Sequence, residues 1–311
     1  MDKAEITPTL VARLVAAQFP QWVHLAVTPV ERDGWDNSTF RLGEDMSVRL
    51  PSADRYALQV DKEHRWLPIL APRLPLPIPK PLARGVPGNG FPRPWSIYRW
   101  LGGEPASVES ITDLVAFASD LADFLAAMYR IDPAGGPPPG SHNFFRGGPL
   151  TTYDAEARNA ISVLGDEIDF QGALEVWEVA LDARWQGPPV WVHGDVGASN
   201  LLVDRGRLSA VIDFGGLAVG DPSCDTTTAW TLFAEESREA FQAQLPVDQA
   251  TWTRGRGWAL WKALITLARA LESTPEEADV AGLRFGWRWP ARQIIDEVIT
   301  EHRAARHQRA T

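Results

Sequence analysis

The stretch WVHGDVGASNLLV, residues 191–203, is apolar at both ends and polar in its middle. It carries Asp195 and, five residues later, Asn200, and Asp213 follows ten residues after its end in the segment VIDFGG. Amide and carboxylate oxygens are hard ligands that suit Mg²⁺, an ion that keeps several waters and binds phosphate oxygens. A carboxylate beside such a site can orient a hydroxyl group or accept its proton. These residue types at this spacing therefore indicate phosphoryl transfer, which depends mostly on positioning and charge neutralisation.

The chain around these residues must fold so that the three side chains meet. Residues 190–192 predict the end of a strand, and Gly194 lets the backbone turn where a side chain would clash. Residues 201–203 and 208–212 are apolar and flank the turn sequence DRGR, which predicts a hairpin. We expect this hairpin to bring Asn200, at its entry, beside Asp213, at its exit.

The first hundred residues predict a small antiparallel sheet with one inserted helix. Apolar residues alternate in short runs separated by turn formers such as RDGWDN and GED, and eight prolines between Pro72 and Pro94 exclude a continuous helix there. The patterns predict helices at 8–19 and 53–70, and strands at 24–31, 38–43, 46–51, 81–85 and 95–101.

The rest of the chain is mostly helical in pattern. Apolar spacings of three and four predict helices at 110–131, 153–164, 170–184 and from 226 to the C-terminus, around the strand-like segment 190–213. With Gly102 and Gly103 as a hinge, we expect an α+β protein of two unlike lobes, residues 1–101 and 102–311, and a ligand cleft between them.

Bulk properties limit the partners and the compartment. The formal net charge of −10 argues against nucleic acid or an anionic membrane as the main partner, because both would be repelled. The single cysteine, Cys224, excludes an internal disulfide framework and fits a reducing compartment. The N-terminus lacks the order of a signal peptide, and no apolar run is long enough to span a membrane. We therefore expect a cytoplasmic protein.

The motif H-G-D-x-x-x-x-N followed by I-D-F-G resembles the aminoglycoside phosphotransferase family, whose fold is similar to that of protein kinases with their H-R-D-x-x-x-x-N and D-F-G. The similarity continues through VGDPSCD, residues 219–225, and the order of elements in the N-terminal half agrees with the small lobe of such proteins. The matching residues here are His193, Gly194, Asp195, Asn200, Ile212, Asp213, Phe214 and Gly215.

The resemblance implies a role for each matched residue. Asp195 would be the catalytic aspartate, which positions or deprotonates the acceptor hydroxyl. Asn200 and Asp213 would hold the Mg²⁺ ions that bridge the phosphates of ATP or GTP. Nothing in the sequence distinguishes these two donors.

Further nucleotide contacts are implied in the N-terminal lobe. Arg49 stands where the family usually has a lysine, with Glu63 as its ion-pair partner. Arginine keeps the charge, but its fork is longer and flatter than an ammonium group. The loop RDGWDNS has a single glycine, so Ser38 and nearby backbone amides are expected to face the β-phosphate. The segment containing Tyr98 and Trp100 resembles the connector whose backbone binds the purine.

Simpler interpretations apply to three residues beside these. His193 is expected to be a structural histidine that bonds backbone near the loop rather than a base. Asp225 is expected to anchor a loop or cap a helix, and Cys224 to be a small buried side chain.

The sequence does not identify the chemical class of the acceptor. The family implies a hydroxylated small molecule such as an aminoglycoside, and the eight acidic residues between Asp154 and Asp182 favour a cation although such a cluster is usually a solvated face. Abundant tryptophan would instead favour a bulky apolar ring such as a macrolide, and an amino alcohol or sugar is a further option. The unusual Arg49 and the glycine-poor loop leave a nucleotide-binding pseudoenzyme scaffold as the alternative from another class.

Overall fold

The computed structural model describes residues 3–30, 34, 36–273 and 275–310. The last residue of the first predicted strand, Glu31, and three residues of the RDGWDNS loop, Arg32, Asp33 and Trp35, lie outside the described residues. The described chain is α+β, with an antiparallel sheet in its N-terminal part and a helical C-terminal part.

The N-terminal part is a five-stranded antiparallel sheet with two helices. Its strands are β1 (Val27–Pro29), β2 (Asn37–Leu42), β3 (Met46–Pro51), β4 (Pro81–Gly85) and β5 (Trp95–Arg99), in the spatial order β1-β2-β3-β5-β4. Helix α1 (Pro8–Gln18) precedes the sheet, and α2 (Asp54–Leu70) lies in the chain between β3 and β4. The predicted sheet with one inserted helix is confirmed. The first strand is shorter than predicted, and the last ends at Arg99 rather than residue 101.

One face of this sheet packs against α1. The helix begins where the Thr7 hydroxyl accepts a hydrogen bond from the Leu10 amide (3.3 Å), with Pro8 at its first position. Its apolar stripe meets the side chains on the inner face of the sheet, and together they form a separate N-terminal core: Ile6, Leu10, Val11, Leu14, Val15, Phe40, Leu42, Val48, Leu50, Phe91, Trp95 and Ile97.

The C-terminal part contains helices and two small sheets. The helices are α3 (Leu114–Tyr129), α4 (Asp154–Leu164), α5 (Phe170–Asp182), α6 (Thr228–Thr231), α7 (Glu235–Gln244), α8 (Gln249–Leu271), α9 (Pro275–Asp279) and α10 (Ala291–Ala310). The helix predicted from residue 110 begins at 114, because the Asp113 carboxylate accepts a hydrogen bond from the Ala116 amide and caps it there.

The strands of this part are β6 (Glu104–Pro105), β7 (Val190–Val192), β8 (Leu201–Asp204), β9 (Arg207–Val211) and β10 (Ala218–Gly220). The predicted hairpin is confirmed, since β8 pairs with β9 from Leu201 opposite Val211 to Asp204 opposite Arg207. Strand β7, where the sequence predicted the end of a strand, pairs with β10 in a separate two-stranded sheet.

The larger core belongs to the C-terminal part and reaches into the N-terminal one. Trp66, Leu67 and Leu70 of α2 are buried in it, and the rings of Trp66 and Trp191 lie 4.9 Å apart. The end of α2 is therefore fixed to the helical part. Among the described residues, none of the helices has the length and apolar character needed to cross a membrane.

Candidate active site

The β8–β9 hairpin places Asn200 and Asp213 at its two ends. Its turn residues Arg205 and Gly206 both have positive φ (51° and 76°), which matches the right-handed twist of the strands. The Ile212 amide donates to the Asn200 carbonyl at 2.8 Å. The entry and exit of the hairpin are therefore bonded directly to each other.

His193 connects the segment before Asp195 to the segment before Asp213. Its Nε2 lies 3.0 Å from the Ile212 carbonyl, and its Nδ1 accepts a hydrogen bond from the Asp195 amide at 3.2 Å. Because Nδ1 is an acceptor, the proton is on Nε2 and the ring is neutral. Full burial lowers the pKa of His193, in agreement with that form. The structural role expected for this histidine is confirmed.

Asp225 holds the backbone of the loop that leads to Asp195. Its carboxylate accepts hydrogen bonds from the amides of His193 (3.0 Å) and Gly194 (2.7 Å), and it is fully buried. Burial raises the pKa of Asp225 to about 7. Asp225 is thus the buried loop anchor that the sequence suggested, and Cys224 beside it is a buried free thiol.

Two glycines allow backbone segments to touch beneath the site. Gly194 has a φ of 83°, and a Cβ there would collide with the Gly216 carbonyl oxygen and lie 2.7 Å from the Arg146 Cβ. A Cβ at Gly220 would collide with the Gly147 carbonyl oxygen. The loops that carry Asp195 and Asp213 therefore pack backbone against backbone.

Asp195 lies at the surface of the cleft with its side chain 48% exposed. Lys262 of α8 forms an ion pair with Oδ1 at 2.7 Å, and Asn200 Nδ2 lies 3.3 Å from Oδ2. Partial burial raises the pKa of Asp195, but the positive charges of Lys262 and Arg146 outweigh it and hold this pKa well below its usual range. The carboxylate is therefore ionised and held in a fixed orientation.

Arg49, Glu63 and Asp213 form one ion-pair cluster. Arg49 lies 3.6 Å from Glu63 and 3.3 Å from Asp213, and the Tyr98 hydroxyl donates to the second oxygen of Glu63. Burial would lower the pKa of Arg49, but the two carboxylates outweigh it and raise it, so the guanidinium stays charged. The ion pair between Arg49 and Glu63 that the sequence led us to expect is therefore present.

Lys62, next to Glu63 on α2, holds the loop after Asp213. Its ammonium group donates to the Gly215 carbonyl at 2.5 Å, and burial lowers the pKa of Lys62 to about 8. The helix that carries Glu63 is therefore bonded directly to the Asp213 loop.

The oxygens of Asn200 and Asp213 fit a hard cation. Asn200 uses its amide nitrogen to donate to the backbone and side chain of Asp195, and no described residue donates to its Oδ1. Oδ1 of Asp213 accepts hydrogen bonds from the Arg49 guanidinium and the Gly215 amide, and no described residue donates a hydrogen bond to its Oδ2. No group of three or more His, Cys, Asp or Glu that could hold a metal occurs within the described ranges. These two oxygens would therefore leave most ligand positions to water and phosphate, as Mg²⁺ prefers.

Of the nucleotide contacts predicted in the N-terminal part, the Ser38 side chain is not brought to this cluster. Ser38 stands opposite Leu50 in the sheet, and Leu50 belongs to the N-terminal core, so the Ser38 side chain lies on the face away from Arg49. Trp100 packs under the Arg41 guanidinium at 4.1 Å, and its amide donates to the Asp45 carbonyl at 2.8 Å. That amide is consequently engaged within the N-terminal part. Tyr98 does reach the cluster, through its side chain rather than its backbone.

A cleft of about 590 Å³ joins the Asp195 and Asp213 sides of the site. Its walls include carboxylates, cations and aromatic rings from both parts of the chain: Asp36, Arg55, Tyr56, Phe144, Phe145, Arg146, Tyr153, Glu156, Asp195, Asp213, Trp261 and Arg269. One continuous space therefore holds the group that can orient a hydroxyl and the group that can bind a metal.

Sequence reasoning missed Lys262 and Arg146. Lys262 had a detectable signal, since it is the one lysine within the otherwise apolar run WALWKALI of α8. Arg146 had none, because an arginine in the loop NFFRGG has no periodicity that would assign it to a site.

The structure is similar to solved structures of small-molecule phosphotransferases. The GDP complex of wild-type aminoglycoside 2'-phosphotransferase-IIIa superposes with a TM-score of 0.69 at 17% identity, covering 96% of this chain and 100% of that one. The streptomycin–ATP ternary complex of APH(2")-IIa gives 0.56 at 19% identity, with coverages of 93% and 99%. Macrolide 2'-phosphotransferase type I gives 0.59 at 21% identity, with coverages of 92% and 98%. At such identities these similarities show the fold alone.

No curated protein sequence matches the chain. The model of the phosphotransferase enzyme family, in contrast, matches residues 27–258, which is most of the chain and includes Asp195, Asn200 and Asp213 but not Lys262. The two-lobed, protein-kinase-like α+β fold expected from the motifs is thereby confirmed. The chain belongs to the phosphotransferase enzyme family, whose members act on hydroxyl groups.

Proposed function

We propose that the protein transfers the γ-phosphoryl group of ATP or GTP to a hydroxyl group of a small acceptor. Asp195 orients that hydroxyl and takes its proton as the new bond from oxygen to phosphorus forms. The bond from the γ-phosphorus to the β–γ bridging oxygen breaks, and the nucleoside diphosphate leaves with that oxygen. Bound Mg²⁺, held by Asn200 and Asp213, would neutralise charge on the phosphate oxygens.

A single observation carries this proposal: Asp195 and Asp213 line one cleft, and Asn200 contacts Asp195 while its backbone joins the strand that leads to Asp213. The Arg49–Glu63 pair at the same place supports a nucleotide-phosphate contact on the N-terminal side. We propose residues 1–101 as the nucleotide-binding lobe and residues 102–311 as the lobe that holds the catalytic and acceptor residues.

Similar structures support the donor and the general acceptor class. They are aminoglycoside and macrolide phosphotransferases, and some of them are complexes with GDP, ATP or ADP. We therefore propose a nucleotide donor and a hydroxylated, antibiotic-like acceptor for this chain. The intact set Asp195, Asn200 and Asp213 favours an enzyme over a nucleotide-binding scaffold.

A transfer assay tests the proposed function. Purified protein is incubated with Mg²⁺ and ATP or GTP against a panel of aminoglycosides, macrolides, amino alcohols, sugars and hydroxy acids, and nucleoside diphosphate release and phosphorylated product are measured. We expect release that depends on both an acceptor and Mg²⁺. Nucleotide binding, detected by thermal stabilisation, with no transfer to any member would contradict the proposal and favour the scaffold.

Replacing Lys262 with methionine should shift the pH dependence of turnover. Loss of the adjacent cation destabilises the ionised form of Asp195, so the pKa of this carboxyl rises toward its usual range. Asp195 acts in its ionised form, and activity should therefore fall at a higher pH on the acid side than in the unmodified protein. The measurement is kcat against pH with the best acceptor of the panel.

Lys80→Met is the matched control, because Lys80 is exposed and does not line the cleft. It also removes one positive charge but should leave the acid limb in place. If Lys262→Met lowers kcat equally at all pH values, Lys262 only maintains the shape of the site and the electrostatic explanation is wrong.

A further inference from the structure

Arg146 is placed directly beside the catalytic loop without being part of the family motif. Its side-chain carbons pack against Gly194, the residue before Asp195. Its guanidinium lies among three rings, 5.7 Å from the centre of Tyr153 and 5.1 Å from those of Trp258 and Trp261. The charged group is therefore held at the wall of the cleft on the Asp195 side.

The charge of Arg146 acts on Asp195, which is already paired with Lys262, and Arg146 has no ion pair of its own within the described chain. Its one hydrogen bond is from Nη1 to the Tyr153 hydroxyl at 3.4 Å, and its buried Nε has no partner there. No described carboxylate forms an ion pair with it, although a guanidinium has five N–H donors and pairs best with planar oxyanions. The aromatic rings offset part of its desolvation, but apart from the Tyr153 hydroxyl they accept no hydrogen bond from the guanidinium.

The other charged residues on this side of the cleft are already paired. Glu156 lies 3.5 Å from Arg269, so these two charges cancel, and Lys262 is paired with Asp195. Most of the eight acidic residues between Asp154 and Asp182, which suggested a cationic acceptor, are likewise paired with arginines: Asp154 and Glu178 with Arg158, Glu167 with Arg292, Asp169 with Arg303, and Glu175 with Arg306. The other two, Asp166 and Asp182, are exposed and do not line the cleft. Of the charged side chains described on the Asp195 side of the cleft, Arg146 is therefore the one without an ion pair.

From these contacts, and resting on the proposed phosphotransferase function, we propose that the acceptor carries an anionic oxygen group, a carboxylate or a phosphate monoester, that binds Arg146. Its hydroxyl then lies at Asp195, and Phe144, Phe145 and Trp261 pack against its hydrocarbon part. A polycation would instead place ammonium groups beside an arginine that has no ion pair within the described chain. Arg146 is thus a specificity-determining residue for a compact hydroxylated anion.

Matched probes test this charge preference. The series 4-hydroxymethylbenzoate, 4-hydroxymethylbenzamide and 4-hydroxymethylbenzylamine keeps the hydroxyl and the ring and changes only the charge. The 3-substituted isomers vary the separation of the two groups, and 4-hydroxymethylphenyl phosphate distinguishes a phosphate from a carboxylate. Binding is measured by calorimetry in the presence of Mg²⁺ and a non-hydrolysable ATP analogue, and transfer from ATP is measured in parallel.

We expect the anionic probe to bind at least about 10-fold more tightly than the amide, because one charge-assisted hydrogen bond contributes a free energy of this size. The amine should bind most weakly. In Arg146→Gln the ratio of the amide Kd to the anion Kd should fall to about one, and in Arg146→Lys to an intermediate value. Arg269→Gln, which removes an arginine that already has a carboxylate partner, should change the ratio less than about 2-fold. The ratio of the amide Kd to the anion Kd is first measured in the unmodified protein. The proposal can therefore be tested even if a variant fails to fold.

A ratio of one or less in the unmodified protein, at both ring positions and with the phosphate, would overturn the proposal. So would a ratio above 10 that survives in Arg146→Gln. If instead the acceptor panel is phosphorylated but its cationic members are preferred, the proposed function stands and the anionic class is wrong. Failure of transfer to every acceptor, with nucleotide bound, would count against the proposed function and leave the binding ratio as a separate result.

Discussion

Asparagine in place of Asp195 should lower kcat about 10³-fold while the affinity for the nucleotide changes less than about 3-fold. The amide has nearly the same shape and can still accept a hydrogen bond from Lys262, but it cannot take a proton from the acceptor hydroxyl and carries no charge to orient it. Because Asp195 lies on the acceptor side of the cleft, the nucleotide phosphates should keep their ligands. The measurements are steady-state transfer kinetics and calorimetric titration with the non-hydrolysable ATP analogue.

Asp204→Asn provides the control for this result. Asp204 is the last residue of β8 in the same hairpin. Its side chain is 64% exposed and does not line the cleft. Its replacement should leave both kcat and nucleotide affinity within about 2-fold. A kcat for Asp195→Asn within 10-fold of the unmodified protein would remove Asp195 from the proposed mechanism.

Asparagine in place of Asp213 should lower kcat/KM for the nucleotide by about 10² to 10³-fold, since it removes the one carboxylate proposed to bind Mg²⁺. Unlike the substitution at Asp195, this one should also change the dependence of activity on the Mg²⁺ concentration. The Mg²⁺ concentration that gives half-maximal activity should rise at least 10-fold in Asp213→Asn and stay unchanged in Asp195→Asn. Arg49 keeps Glu63 as a partner, so the N-terminal cluster should survive the substitution.

Asp45→Asn is the matched control here, because Asp45 is an exposed carboxylate at the β2–β3 turn and does not line the cleft. It should leave the Mg²⁺ dependence unchanged. Identical Mg²⁺ dependence in Asp213→Asn and the unmodified protein would show that the metal is bound elsewhere.

The sequence predicted those parts of the fold whose signals are local. The hairpin followed from two apolar runs around DRGR, and α2 and α3 followed from spacings of three and four. The Arg49–Glu63 pair and the place of Asp213 in the site were predicted by matching a motif, and in the structure Arg49 lies within 3.6 Å of both carboxylates. The loop histidine and the buried Asp225 were also interpreted correctly, because a polar residue amid buried backbone has few roles other than bonding that backbone.

The features that the sequence did not predict, or predicted wrongly, depend on non-local geometry. Which face of β2 carries Ser38 depends on the register with β3, and a shift of one residue would reverse it. The pairing of β7 with β10 joins segments almost thirty residues apart that are each too short to show a period. Arg146 and Lys262 reach Asp195 from a loop and a helix that only the packed core brings together. Local patterns therefore located the motif residues, while the residues that surround the acceptor required the three-dimensional structure.

The backbone contacts at Gly194 and Gly220 bear on how such a protein could change its acceptor during evolution. Any side chain at these two positions would collide with a carbonyl oxygen, whereas a Cβ at Gly197, in the same loop, would meet nothing within 4 Å. Exchanges at Arg146, Phe145 or Trp261 alter only the wall of the cleft and leave those carbonyls untouched. New substrate ranges are therefore accessible through exchanges of wall residues, while the two glycines keep the backbone contacts that position Asp195.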